Sequence, residues 1–259
     1  MIRPRNLSAG LLTASLFSSQ TFAANKPSDA SIAAGQELAA ELRSSKPGEN
    51  IEVNGLLKVR DSEGRRTKVP FRYQIVVLRD GWQAIYETQP PGTILRERLV
   101  VVHTDDQPTR YSHSHLEGTA GSAAGLVSVS GDQAMVPFVN SDFWLADLGL
   151  EFLHWPEQRI VEEAKIRMRK GRPCKVLESV NPQPNASGYT RVRSWIDTQT
   201  GKPILAEAFG PDNKLLKEFE VGSVTKVDGQ WELKNMEMRN TRTDSQTILE
   251  FKYEAKGGN

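Results

Sequence analysis

Cysteine is nearly missing from this chain: Cys174 is the only one in 259 residues, so no internal disulfide can form. None lies near residue 24, where a bacterial lipoprotein would be acylated, and this argues against a lipid anchor. Long apolar runs are missing too. Residues 7–17 make an apolar stretch of only about ten residues, broken by Ser8, Thr13 and Ser15, too short and polar to span a bilayer. Neither sign of charge prevails, with 33 basic and 32 acidic side chains, so nothing steers the whole protein toward nucleic acid. No Gly-x-Ser-x-Gly elbow exists, since Gly121-Ser122-Ala123 and Val129-Ser130-Gly131 both miss the spacing. The small, flexible stretch 118–125 lacks the Gly-Lys-Ser/Thr ending of a phosphate loop and reads as a bend joining two halves of one sheet. There is no βαβ alternation and no fixed repeat, which excludes a parallel sheet and a solenoid.

The chain opens like a secretory signal. Arg3 and Arg5 form the basic start, the short apolar run follows, and Thr21-Phe22-Ala23 supplies a small-residue cleavage site before Ala24. Residues 1–23 are therefore expected to be a signal peptide and residues 24–259 one exported, periplasmic domain. Losing Arg3 and Arg5 and no acid leaves 31 basic against 32 acidic residues, a formal charge of −1.

Ser28 or Asp29 can cap a helix with Ile32, Leu38, Ala39 and Leu42 on one stripe, ended by Lys46-Pro47-Gly48. After it, alternating apolar and polar residues separated by turn signals predict strand after strand. Asp80-Gly81, Asp228-Gly229, Pro211-Asp212-Asn213 and Asp197-Thr198-Gln199-Thr200-Gly201 all suit turns. In the second half, strands are predicted over residues 160–168, 175–180, 189–197, 203–209, 215–221, 231–240 and 247–253. The predicted class is mainly β with few helices. It is a strongly curved antiparallel sheet, or unclosed β-barrel, of about eleven or twelve short strands with an N-terminal helix.

Three groups of residues invite a chemical reading. His113 and His115 share one strand face, but a zinc site needs a third and usually a fourth ligand, and Glu117, His103 and His154 would have to converge by folding. Two ordinary strand histidines, and no metal, are expected. Asp105-Asp106 and Glu162-Glu163 read as solvated turn charges. The run Lys165, Arg167, Arg169, Lys170, Arg172, Lys175 reads as a solvated hairpin, or as a rim meeting an anionic headgroup or an acidic partner. Cys174 reads as a small packing residue. No catalytic residue and no cofactor are expected.

Residues 141–156 are different. Ser141 or Asp142 can cap a short helix in which Phe143, Leu148, Phe152 and Trp155 form one stripe, while Trp144, Leu145 and Leu153 spill over its sides. So apolar a segment must be buried or cover something. It is either a plug filling the open mouth of the sheet or a lid over a hydrophobic ligand. In the second case Phe143, Trp144, Leu148, Phe152, Leu153 and Trp155 are the ligand-binding residues.

Several motifs in this order resemble the LolA-like family of outer-membrane lipoprotein-sorting proteins. They are Ser141-Asp142-Phe143 with Asp147-Leu148, Tyr189-Thr190-Arg191-Val192 leading to Trp195-Ile196-Asp197, and Lys202-Pro203. The turn Asp212-Asn213-Lys214-Leu215-Leu216-Lys217 follows, then Asn235-Met236-Glu237-Met238 before Thr247. The resemblance covers residues 135–255, and the N-terminal helix and first strands more loosely. Where the family pattern has Asp-x-Gly-Lys, this chain has Asn213, a residue that left-handed geometry tolerates. The resemblance implies an unclosed barrel with a helical lid over an apolar concavity. It implies periplasmic carriage of acylated lipoproteins or similar lipids, with a membrane-bound donor or acceptor protein as a further partner. It brings no catalytic residues with it. Two other readings stay open: a sensor or scaffold that uses the same fold to contact a partner protein, and an exported hydrolase.

Overall fold

A computed structural model describes residues 27–88, 96–104, 107–116, 125–161, 166–186, 188–227 and 229–253. The expected signal peptide, Pro90-Pro91-Gly92 (a further stretch whose sequence suits a turn), Asp105-Asp106, Glu117, residues 118–124, Glu162-Glu163, Lys165 and Asp228 lie outside the described residues.

Helix α1 (Asp29–Ser44) starts as its sequence directs. The Ser28 side chain accepts a bond from the Ser31 N–H at 3.2 Å, with Asp29 in the first turn and Arg43 in the last. Its buried edge is made of small residues, Ser31, Gly35 and Ala39, one per turn, with Ile32, Leu38 and Leu42 half-buried beside them. The small edge has a reason. A Cβ on Gly35 would lie 2.3 Å from Arg159 Cα, so the helix rests directly on strand backbone. Ser31 Oγ also donates to the Ile160 carbonyl at 2.7 Å.

The chain then runs outward through β1 (Ile51–Arg60), β2 (Arg66–Leu78), β3 (Gly81–Thr88), β4 (Arg96–Thr104) and β5 (Gln107–Leu116) to the short edge strand β6 (Val127–Val129). Residues 130–156 cross to the opposite edge, β7 (Glu157–Ile160), on which α1 packs. The return path is β8 (Arg167–Arg169), β9 (Arg172–Val180), β10 (Arg191–Asp197), β11 (Pro203–Phe209), β12 (Leu215–Val227), β13 (Gln230–Asn240) and β14 (Ser245–Lys252). β14 pairs with the free side of β1, so the two halves meet in the middle of one antiparallel sheet whose edges, β6 and β7, stay apart.

The expected class is thus the observed one: a curved, unclosed, 14-stranded antiparallel sheet with few helices. Two strands exceed the expected number. β6 has only three residues, too few for a periodic signal. The stretch expected as one strand over residues 160–168 is two short ones, β7 and β8, both paired with β9. Lys170 and Gly171, with φ of 51° and 74°, make the two-residue turn between β8 and β9. Asn213 is left-handed, at φ 60°, as its turn requires.

Two apolar clusters form the core. One joins Leu57, Phe71, Tyr86, Leu99, Tyr111, Leu249 and Phe251 with Phe138, Phe143, Leu145 and Leu148. The other joins Ala39 of α1 with Leu177, Tyr189, Val192, Ile196 and Leu216 and with Phe152 and Leu153. The crossing segment contributes to both.

Candidate functional site

The crossing segment is the candidate site, and it is not the single helix its spacing predicts. Val139 and Asn140 are left-handed, at φ 53° and 51°, and make a tight turn in which Phe138 N–H donates to Phe143 O at 2.8 Å. Ser141 and Asp142 therefore sit in that turn and cap nothing. Helix α2 (Leu145–Leu148) is one turn long, begun by the Trp144 N–H donating to Asp147 Oδ2 at 2.8 Å. Gly149 ends it, Leu150 turns left-handed at φ 52°, and a 3-10 turn follows over Glu151–His154. The break has a packing cause: a Cβ on Gly149 would fall 2.3 Å from the Tyr111 hydroxyl. It also re-aims the side chains that follow. Phe143, Leu145 and Leu148 face the first cluster, whereas Trp144, Phe152, Leu153 and Trp155 face the second. Of the six residues expected to line a ligand site, Phe143, Leu148, Phe152 and Leu153 are buried and Trp144 and Trp155 half-buried.

With so little secondary structure of its own, a buried segment needs other partners for its backbone. Side chains supply them. Thr247 Oγ1 accepts from the Asp142 N–H at 2.9 Å and donates to Asp142 Oδ2 at 2.7 Å, while Ser245 Oγ donates to Asp142 Oδ1. Glu97, buried on β4, accepts from the Val139 N–H at 3.0 Å. Gln158 Nε2 donates to the carbonyls of Phe152 and Trp155 at 3.0 and 2.8 Å, and Arg43 Nη1 donates to the Leu153 carbonyl.

At the centre is Lys217, 1% exposed. Its ammonium donates to the Asp142 carbonyl at 2.7 Å, lies 3.5 Å from Asp147 Oδ2, and sits 3.6 Å over the Trp144 ring. Trp144 stacks on Tyr189 at 4.5 Å, and the Tyr189 hydroxyl donates to Asp147 at 2.9 Å. Burial drags Lys217 down to about 8, with Asp147 and Asp142 opposing. Burial, reinforced by Asp147, pushes Tyr189 well above the ordinary phenol range.

A cleft of about 390 Å³ opens beside this segment, lined by Gln36 and Arg43 of α1, Gln107 and Pro108 of β5, and His154, Trp155, Pro156 and Gln158. His154 Nε2 is 2.9 Å from Thr109 Oγ1. Burial lowers both His154 and His103 to about 4, so both are neutral at pH 7. His103 stacks on Trp82 at 4.0 Å.

His113 and His115 stand together on β5, flanking Glu97: His113 Nε2 is 2.8 Å from Oε1 and His115 Nδ1 is 3.6 Å from Oε2. The sequence reading missed Glu97 as their partner. Among the described residues, no three His, Cys, Asp or Glu side chains are grouped to hold a metal ion, and no helix is long and apolar enough to cross a membrane. Cys174 is buried in β9, where burial pushes its thiol up. Much of the basic run is paired. Arg169 lies 5.1 Å over Trp195 and within 3.5 Å of Glu207 and Glu218, Lys170 pairs with Glu220, and Arg172 is 2.7 Å from Asp197.

Sequence reasoning also missed the joint role of Lys217, Tyr189, Asp147 and Thr247. The signal was present, because all four fall inside the motifs that carry the family resemblance. A lysine and a threonine on alternating strands look solvent-facing until the partner segment is known.

Residues 124–255, just over half the chain, match the model of a family described as "uncharacterized protein"-like. No curated protein matches the sequence. Among solved structures, an assigned outer membrane lipoprotein-sorting protein domain from Vibrio parahaemolyticus aligns with a TM-score of 0.69 at 19% identity, over 88% of this chain and 94% of that one. A DUF1329 family protein from Desulfovibrio piger aligns at 0.66 with 15% identity, over 88% and 95%. A LolA superfamily protein from Nitrosomonas europaea aligns at 0.56 with 14% identity, over 86% and 92%. At these identities the likeness is one of fold. The chain belongs to the family of the matching model, and its fold is LolA-like.

Proposed function

We propose that this protein is an exported, periplasmic carrier or binder of lipoprotein acyl chains or similar lipids, and that the segment Phe143–Trp155 is its lid. One observation carries the reading. Most of the apolar face of an open sheet is covered by one crossing segment, which has two short turns of its own, side-chain hydrogen bonds for its backbone, and apolar side chains in both clusters. Such bonds exchange with water at a net cost of about 1 kcal/mol each, so the main barrier to lifting the cover is the apolar contact that an acyl chain would restore. Beneath it, an acyl chain would replace the contacts of Phe143, Trp144, Leu148, Phe152, Leu153 and Trp155. At about 0.8 kcal/mol per methylene, even a chain of about ten buried carbons offers roughly 8 kcal/mol toward opening. The fold shared with a lipoprotein-sorting domain supports the same reading.

Replacing Trp144 and Phe152 by serine separates the lid from a plug. A lid predicts that the wild type binds a fluorescent acyl probe and that the double variant loses probe binding by more than its melting temperature falls. A plug predicts no probe binding by the wild type and a loss of several kcal/mol of stability in the variant. Native mass spectrometry of protein purified from the periplasm would then identify what it carries.

A further inference from the structure

The outer face of the sheet, opposite the crossing segment, carries a cluster that packing does not explain. Arg159 on β7, Glu178 on β9 and Arg193 on β10 stand in one cross-strand row. Arg191, two residues before Arg193, shares their face opposite Val180 and Phe209. All three guanidinium groups come within 3.9 Å of the same carboxylate. Glu178 is 1% exposed, and both its oxygens are taken: Arg159 Nε donates to Oε1 at 2.8 Å and Arg193 Nε to Oε2 at 2.6 Å.

Arg191 is left over. Its Nε lies 3.9 Å from Glu178 Oε2, too far for a hydrogen bond, and among the described residues this buried atom has no acceptor. Glu207, next along the row, is engaged by Trp195 Nε1 at 3.2 Å and by Arg169. Glu157, exposed on the same face, pairs with no described residue. Within 3.9 Å, three guanidinium groups against one carboxylate leave a local excess of two positive charges, the exposed Glu157 standing across Val180 from Arg191, and burial and the neighbouring Arg193 and Arg159 lower the proton affinity of Arg191. The group is nonetheless held in place, its Cζ 4.1 Å from the Phe209 ring centroid, with that of Arg193 at 5.5 Å from the same ring. All three side chains remain partly exposed, so the cluster is open to solvent.

We propose that Arg191, with Arg159 and Arg193, binds a phosphate group on the outer face of the sheet. A phosphate monoester carries about −1.5 to −2 at pH 7, which matches the unbalanced charge, whereas one carboxylate would leave half of it uncompensated. Planar guanidinium forks also fit phosphate oxygens in pairs. The phosphate is either free or the headgroup of a lipid such as phosphatidic acid. This inference does not depend on the carrier reading.

The test uses the full chain and the variant Arg191→Gln. The Arg191 side chain makes no hydrogen bond to a described residue, and removing its charge relieves repulsion from Arg193 and Arg159 as it removes the Phe209 contact, so the variant folds with unchanged circular dichroism and a melting temperature close to that of the wild type. At constant ionic strength, inorganic phosphate is expected to give saturable binding by calorimetry and to raise the melting temperature of the wild type. Arg191→Gln weakens that binding at least tenfold, and acetate binds more weakly than phosphate. Co-sedimentation with phosphatidylcholine vesicles containing phosphatidic acid, lost in Arg191→Gln and competed by phosphate, assigns the group to a lipid headgroup. Phosphate binding without co-sedimentation assigns it to free phosphate. The proposal is overturned if neither phosphate nor vesicles bind, if Arg191→Gln binds as well as the wild type, or if acetate or an acidic peptide binds more tightly than phosphate.

Discussion

Replacing Lys217 by methionine tests whether the crossing segment is held by a buried ion pair or only by apolar contact. Methionine fills the space of the lysine stem but removes the ammonium that donates to the Asp142 carbonyl and faces Asp147. Breaking one side of a buried pair costs about 3–5 kcal/mol, because the remaining charge is left without compensation. Asp147 keeps its bonds from the Tyr189 hydroxyl and the Trp144 N–H, which places Lys217→Met near the lower end, about 3 kcal/mol. For a chain of this size that is a fall of roughly 6–12 °C in melting temperature. Asp147→Asn leaves the opposite charge unbalanced and should cost a similar amount. Combining the two removes both charges, so the double variant should be more stable than either single one. Urea denaturation followed by circular dichroism at pH 7 measures all three. A loss below about 1 kcal/mol for Lys217→Met, or a double variant as poor as the sum of the single ones, would refute the ion-pair account.

Other outcomes follow from the same geometry. Lys217 is lowered to about 8 in the folded protein from an ordinary 10.5, so between these values the unfolded chain holds the extra proton. Stability should therefore rise with pH across that window, by about 2 kcal/mol from pH 8 to 10, because the neutral amine sheds the burial cost of its charge yet still donates to the Asp142 carbonyl, a bond that methionine cannot make; Lys217→Met should abolish the rise in denaturation curves taken at the two pH values. Gly35→Ala sets a methyl group against Arg159 backbone and should detach α1, lowering the melting temperature and speeding amide exchange in residues 29–44. Alanine at a helix position otherwise stabilises by about 1 kcal/mol, so a rise instead would mean that the helix is not seated on β7. Thr247→Val strands the Asp142 N–H and one of its two carboxylate oxygens, the other keeping Ser245, and should cost about 2 kcal/mol by the same denaturation assay, against less than about 0.5 kcal/mol for the exposed Thr243→Val. If the chain is exported as proposed, the intact mass of the periplasmic protein corresponds to a start at Ala24 with no attached lipid.

Much of this protein was legible in the order of its residues. The α1 cap at Ser28, the turns at Asn213 and Gly201, and the alternation of β9 to β14 depend on contacts a few residues apart, where backbone preference and side-chain period act directly. The apolar excess of residues 141–156 likewise announced a buried or covering segment. What that segment would look like was not legible, because helical spacing records which residues are apolar and not which way each one faces. Gly149 against Tyr111 and the left-handed Leu150 divide its side chains between two clusters that meet only when β14 closes on β1. The same holds for its anchors. Glu97, Tyr189, Lys217 and Thr247 lie on separate parts of the sheet or beside it, up to about 150 positions apart in sequence, and each taken alone resembles a surface residue. Only the folded sheet shows that they are buried, since a buried charge or hydroxyl persists where its partner is also buried, and partners so distant in sequence are chosen by topology.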